Sequence, residues 1–296
     1  MLDASTCRML EDMGIGPVWL LRETPDPIAP QKSAPVPVVS SAVRTAVSQR
    51  TPAVSSMRRP VRAPAFAQVA PVAVASMSPT QKVALPEETL QAIRTADWAT
   101  LKTIAQKCQA CPMATTRQNM VFAQGEPGPK LVIIGEAPGS EEDLQGLPFV
   151  GKSGRLLTAM LESLNIVRGR DVVILNVLKC RPPRNRNPEP DEIACCGHFL
   201  RRQLELLEPK VLFLAGRFAV EAMLHPQPGF SIGRQRGQVH QVEVANRTVP
   251  AVVTYHPSYL LRSPDEKAKA WDDLLLLKRT LREAGIEPPA PEKIWH

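Results

Sequence analysis

The chain has 296 residues, 44% hydrophobic, with 30 prolines and only 4% aromatic residues; that is enough for one full core and little more once linkers are discounted. Its net charge of +7 invites a nucleic-acid partner, but residues 1 to 80 hold +3 of it, so on the remaining +4 any contact surface must be a local patch. No apolar run approaches the roughly 18 to 20 residues a membrane helix needs, and the acidic opening MLDASTCRMLEDMG does not read as a secretory signal; a cytoplasmic protein with no membrane partner is expected.

Residues 1–24 form a short amphipathic segment carrying Leu2, Met9, Leu10, Met13, Ile15, Trp19 and Leu20. It is expected either to pack weakly as a terminal helix or, through Leu2 to Arg22, to dock on a replication or repair protein. Residues 25–84 are Pro, Ala, Val and Ser without helical or strand periodicity, which predicts a disordered tether. A folded domain is expected over 85–285 and a tail over 286–296.

Within that domain, helices are predicted from Pro86 and over Ala99 to Ala105. Four strand-like runs follow, at Lys130 to Ile134, Val172 to Val177, Val211 to Leu214 and Val249 to Tyr255. Between them lie helical stretches over Gly154 to Leu164, Asp191 to Leu207 and Arg217 to Leu224, and Trp271 to Arg282 closes as a helix. Such alternation predicts an α/β fold whose mostly parallel sheet carries helices on both faces. Gln238 to Val244 is expected to form a hairpin with the last run.

In open α/β sheets ligands bind beyond the carboxyl ends of the strands. That rule selects Gly135-Glu136-Ala137-Pro138-Gly139 with Glu141, Glu142 and Asp143; Asn176 with Lys179 to Arg186; and Tyr255-His256-Pro257-Ser258. A glycine turn, an amide, an imidazole and carboxylates thus converge on one edge, and a phosphate at the helix N-terminus after the first turn stays open as a ligand. Six cysteines stand at 7, 108, 111, 180, 195 and 196. Cys108-x-x-Cys111, Cys180 and one of Cys195 and Cys196 would suit zinc or an iron-sulfur cluster in a reducing compartment, with unpaired buried thiols as the plain alternative.

GEAPGSEED, LPFVGKSGRLL, NVLKCRPPRNRNPEPDEI and HPSYLLR resemble, in order and spacing, the iron-sulfur (family four) uracil-DNA glycosylases, over about Ile104 to Arg282. The resemblance implies a three-layer α/β/α sandwich with a central four-stranded, mostly parallel sheet. It implies removal of uracil from DNA by a monofunctional hydrolase, and a structural 4Fe-4S cluster on Cys108, Cys111, Cys180 and Cys196. Phe149 would stack on a flipped uracil, Asn176 would read its O4 and N3-H edge, and the backbone of Gly135, Glu136 and Ala137 would line the pocket. His256 would stabilise charge developing on O2.

Ala137 stands where the best-known branch of the superfamily carries a water-activating aspartate. Glu142 and Asn185 match positions that the family uses to hold the water. Arg181, Arg184 and Arg186 form the expected basic patch on DNA, with Lys152 and Arg155 as further phosphate contacts. Arg262 belongs to the same DNA-facing loop, in which Leu260 or Leu261 would fill the gap left by the flipped base. A covalent uracil-DNA trap is a second reading, though Asn176 to Pro188 leaves no room for that branch's basic insertion, and a tethered non-catalytic adaptor is a third. Nothing in the sequence demands more than a monomer.

Overall fold

A computed structural model describes residues 83 to 287. The expectations for the N-terminal segment, the tether and most of the tail lie outside the described residues. Helices α1 (Glu87–Thr95) and α2 (Trp98–Lys107) come first, then the single turn α3 (Met113–Thr116). Asp97 caps α2 by accepting the Thr100 amide at 2.8 Å, which satisfies one donor of the first turn. Both helices pack through Ile93, Leu101 and Ala105 on Phe122 and Phe199, a small core of their own.

The sheet contains β1 (Leu131–Gly135), β2 (Val172–Asn176), β3 (Val211–Ala215), β4 (Val239–Val244) and β5 (Arg247–Thr254) in the order β2-β1-β3-β5-β4. The first four in that order run parallel, and β4 pairs antiparallel with β5. The sheet therefore has five strands where four were expected. The fifth is the predicted hairpin partner, whose alternating exposed and buried residues suit an edge strand with one wet face. β1, β2 and β3 are buried along their whole length, as continuous Val, Ile and Leu runs require, and β5 is buried over its last four residues.

Side chains alternate across the sheet. Leu131 and Ile133 face α5 (Lys152–Glu162) and α10 (Lys267–Glu283), packing with Leu157, Met160, Leu161, Leu274 and Leu277. Val132 and Ile134 face the opposite layer, where α6 (Pro190–Leu207) contributes Leu200, Leu204 and Leu207 and α7 (Arg217–Leu224) contributes Ala219 and Val220. Two short helices absent from the sequence expectation, α4 (Ser140–Gln145) and α9 (Pro257–Arg262), follow β1 and β5 directly. Together with the one-turn α8 (Ile232–Gln235) they are too short for hydrophobic periodicity to reveal. Among the described residues no helix is long and apolar enough to cross a membrane.

One buried ion pair pins the last layer. Arg236, just past α8, donates Nε to Asp273 at 2.7 Å, and its guanidinium lies 4.7 Å from the Tyr255 ring centroid. The Asp273 side chain is fully buried, and that of Arg236 is 9% exposed. Removing one partner leaves the other charge stranded in the core, so Asp273→Ala is expected to lower unfolding free energy by about 3–5 kcal/mol, read by urea titration. A loss under about 1 kcal/mol would show that the arginine rehydrates.

Candidate functional site

The strand ends build a cleft of about 580 Å³. Its lining draws on the turn after β1, the loop before α5, the end of β2, the proline-rich loop and the start of α9. Of the residues singled out in the sequence, Glu136, Ala137, Glu142, Phe149, Asn176, Asn185, Arg186, His256, Leu261 and Arg262 all line it. A larger groove of about 1170 Å³ lies among α6, α7 and the β4-β5 hairpin; of the predicted site residues none lines it.

Gly135 pairs with Asn176 across β1 and β2. A Cβ there would sit 2.5 Å from Asn176 Oδ1 and 2.6 Å from the Phe149 ring, so only glycine permits both side chains to close on the strand end. Phe149, in the loop before α5, stacks against His256 with ring centroids 5.4 Å apart. Asn176 is buried, and its Oδ1 has no hydrogen-bond partner. Its backbone carbonyl accepts from Lys179 Nζ at 2.6 Å. Lys179 is itself buried, and burial lowers its ammonium to about 8 against the opposing pull of Cys196 and Cys180.

His256 caps α9. Its Nδ1 accepts the Ser258 amide at 3.2 Å and stands 2.7 Å from the Ser258 hydroxyl. An amide nitrogen only donates, so Nδ1 is the bare nitrogen and Nε2 carries the proton. Burial, reinforced by Arg262 and opposed by Glu142, lowers the imidazole to about 4. The ring is therefore neutral at physiological pH. Ser258 was missed as a partner from the sequence, although its place two residues after His256 is the spacing of a side-chain helix cap.

Glu142 is buried and turned onto backbone amides. It accepts Gly139 N at 3.1 Å on Oε2, and Val150 N and Gly151 N, each at 3.0 Å, on Oε1. Three of about four acceptor positions are filled, leaving one on Oε2. Asn185 has a left-handed backbone at φ 54°, and its Oδ1 accepts Arg181 Nε at 2.7 Å.

The geometry narrows two expectations. Leu260 is 1% exposed and packs in the core beneath α9, whereas Leu261 is 43% exposed and lines the cleft. A helix start puts successive residues on different faces, so Leu261 and not Leu260 is on the cleft side. The basic patch is also thinner than three arginines suggested. Arg186 Nη1 donates to the buried Glu192 at 2.8 Å, in the pair that closes the N-terminus of α6, and Arg181 is turned onto Asn185. Arg184 is exposed and, among the described residues, has no ion-pair partner, and Lys152 and Arg155 are exposed on the first turn of α5.

Behind the cleft, Cys108, Cys111, Cys180, Cys195 and Cys196 line one small cavity with Met113 and Phe199. Among the described residues no group of three or more His, Cys, Asp or Glu side chains could hold a single metal ion; the thiols ring a space. Arg117 Nη1 donates to Cys180 Sγ at 3.0 Å, and the Lys179 amide donates to Cys196 Sγ at 3.3 Å. Burial pushes the Cys111, Cys180 and Cys196 thiols above their ordinary value, and neighbouring thiols add to it. Crowded thiols with hydrogen-bonded sulfurs in an apolar cage fit a cationic iron-sulfur core, which would relieve that repulsion. Cys195 feels Cys108 and Cys111 and is pushed to about 12 by burial; no hydrogen bond reaches its sulfur among the described residues.

A family model for the uracil DNA glycosylase superfamily matches residues 122–275. The chain is 44% identical over 159 residues to a type-4 uracil-DNA glycosylase of Archaeoglobus fulgidus, covering 53% of this chain and 79% of that protein. It is 40% identical to a type-4 uracil-DNA glycosylase of Thermotoga maritima, over 61% of this chain and 92% of that one. A third, from Saccharolobus solfataricus, is 35% identical over 61% and 85% of the two chains. The matched span runs through every loop that lines the cleft, and the relatives align over most of their length, so the chain belongs to the uracil-DNA glycosylase superfamily, in its type-4 group.

Proposed function

We propose that the protein flips uracil out of DNA and hydrolyses its N-glycosidic bond, leaving an abasic site for repair. The observation that carries this reading is the unpartnered Asn176 Oδ1 in a cleft shared with a neutral, Nε2-protonated His256. Uracil N3-H supplies the donor that Oδ1 lacks, and the asparagine amide donates to O4. Cytosine presents a bare N3 and an amino group there, setting acceptor against acceptor and donor against donor, an expensive mispairing in a buried site.

Phe149 offers its ring face to the flipped base, a contact that contributes roughly 1–3 kcal/mol. As the glycosidic bond breaks, electrons move onto the pyrimidine, and His256 Nε2-H donates to the negative charge growing on O2. A neutral donor suits this task because it needs no proton transfer, and the Ser258 amide holds the tautomer. The remaining acceptor position on Glu142 Oε2 and the amide nitrogen of Asn185 hold the attacking water. Leu261 fills the space the base vacates, while Arg184, Lys152, Arg155 and Arg262 meet phosphates along the rim.

Cys108, Cys111, Cys180 and Cys196 would hold the 4Fe-4S cluster. Once bound, it supplies a cross-link among the end of α2, the proline-rich loop and α6. Cys180 lies four residues beyond Asn176, so this cross-link braces the strand end that reads the base. Cys196 is preferred to Cys195 because its sulfur accepts the Lys179 amide.

Asn176→Ala and His256→Ala should each slow single-turnover excision about 10²- to 10³-fold, measured as alkali-sensitive cleavage of a labelled uracil-containing strand. Wild-type rates in either variant would remove that residue from the mechanism. The rate of the parent should show no inflection near pH 6.5 and should fall only as pH drops towards about 4, because His256 is already neutral above that value. The same group makes folding weaken as pH falls from 6.5 towards 4, since the unfolded chain takes up the proton first. An activity limb centred near 6.5 would mean an ordinary, solvated imidazole. Serine at 108, 111, 180 or 196 should strip iron and visible absorption from the purified protein, whereas Cys195→Ser should keep both; loss of iron in Cys195→Ser with retention in Cys196→Ser would reverse the choice of fourth ligand.

A further inference from the structure

Phe149 has φ 54°, a left-handed conformation that is strained for a bulky side chain. Something must hold it there, and the loop is gripped from both sides. Glu142 takes the amides on its far flank, Val150 N and Gly151 N. Arg168, from the turn that leads into β2, takes the carbonyls: Nη2 donates to Pro148 O at 2.9 Å, and Nη1 donates to Phe149 O at 2.9 Å and to Gly154 O at 3.3 Å.

The rest of the guanidinium is equally committed. Nη1 also donates to Thr158 Oγ1 at 2.8 Å, Nε donates to Gln124 Oε1 at 3.1 Å, and Nη2 shares that oxygen. All five donors of the side chain are used inside the protein. No carboxylate pairs with it at salt-bridge distance among the described residues, and burial lowers its pKa with Glu142 opposing. Gly154 completes the clamp: a Cβ there would fall inside the Phe149 carbonyl, so the loop can lie against α5 only because residue 154 lacks one.

From this geometry we infer that Arg168 is a positioning residue for base excision, which acts by locking the peptide on either side of Phe149 so that the ring presents its face to the flipped base. The inference rests on the reading of Phe149 as the stacking surface. A planar fork is suited to the task, because it satisfies several carbonyls pointing in fixed directions where an ammonium would act as a point charge. The residue sits in a turn outside every motif of the sequence, and its arginine would otherwise be taken for a phosphate contact.

The test is a double-mutant cycle on the full-length, cluster-containing protein, reading single-turnover excision from a uracil-containing duplex together with thermal melting. Arg168→Met should fold cooperatively and slow excision by about 10- to 100-fold, yet add no further loss in a Phe149→Ala background, where there is no ring left to position. Arg168→Lys, which keeps the charge and serves if the Met variant fails to fold, should be slow in the same background-dependent way. The dependence of rate on salt should be as steep as in the parent, since no phosphate contact is lost. Wild-type rates in the Arg168 variants overturn the assignment, as does an equal further loss in the Phe149→Ala background or a shallower salt dependence. If Phe149→Ala itself excises uracil at the parent rate, the stacking reading falls and the role of Arg168 falls with it; a slow Phe149→Ala beside fast Arg168 variants overturns Arg168 alone.

Discussion

At the carboxyl end of β1 there is room for a hydrogen atom and nothing larger. Gly135 lies against Asn176 on one side and Phe149 on the other, with a would-be Cβ 2.5 Å and 2.6 Å from their nearest atoms. Parallel pairing fixes the first contact, because the β1-β2 register ends on the pair Gly135 and Asn176. The second depends on the loop before α5, which must fold back over the strand end with Phe149 in a left-handed conformation. Two buried side chains serve these contacts. Glu142 binds the two loops together through three backbone amides, and the Lys179 ammonium fixes the carbonyl of Asn176.

The polar groups so enclosed are costly to bury and are disposed accordingly. Glu142 is compensated by three amides and Arg168 by internal acceptors, which are the conditions under which buried charge is tolerated. His256 avoids the cost by losing its proton. Among the described residues lining the cleft, Asn176 Oδ1 is the one buried side-chain atom without a hydrogen-bond partner. Leaving a buried acceptor without a donor costs roughly 1–3 kcal/mol, so a ligand that brings an N-H to Asn176 Oδ1 would be favoured by a comparable amount.

Much of this was legible in the residues. The apolar runs and the hairpin signal located all five strands within a residue or two, and the rule that ligands gather at carboxyl ends of strands picked out Glu136, Asn176 and His256 before any likeness to a family was used. What escaped falls into two physical kinds. Short helices such as α4 and α9 make less than two turns, too few for periodicity to register, so the burial of Leu260 and exposure of Leu261 could not be assigned. Long flexible cations were the other failure. An arginine written in a loop reads as a solvent-facing charge, and only its partners reveal otherwise: Glu192 for Arg186, Asn185 for Arg181, and the carbonyls of the Phe149 loop for Arg168.

This second failure bears on how the protein engages DNA. Two of the three arginines in the proline-rich loop are spent on shaping that loop, with Arg186 closing the start of α6 that carries Cys195 and Cys196. Among the described residues, the proposed phosphate contacts that remain exposed are Arg184, Lys152, Arg155 and Arg262, of which Lys152 and Arg262 line the cleft. Counterion release scales with the number of phosphates neutralised, so these four cations by themselves would give only a modest non-specific affinity. A modest grip lets an enzyme that must survey long stretches of normal duplex release each undamaged site. On the proposed roles, the free energy that distinguishes the damaged site comes from the cleft, through a stack on Phe149, pairing at Asn176 and a wedge at Leu261. On that proposal accuracy in the cleft matters more than charge around it, and buried hydrogen bonds from Gly151 N to Glu142 and from Lys179 to the Asn176 carbonyl hold its walls.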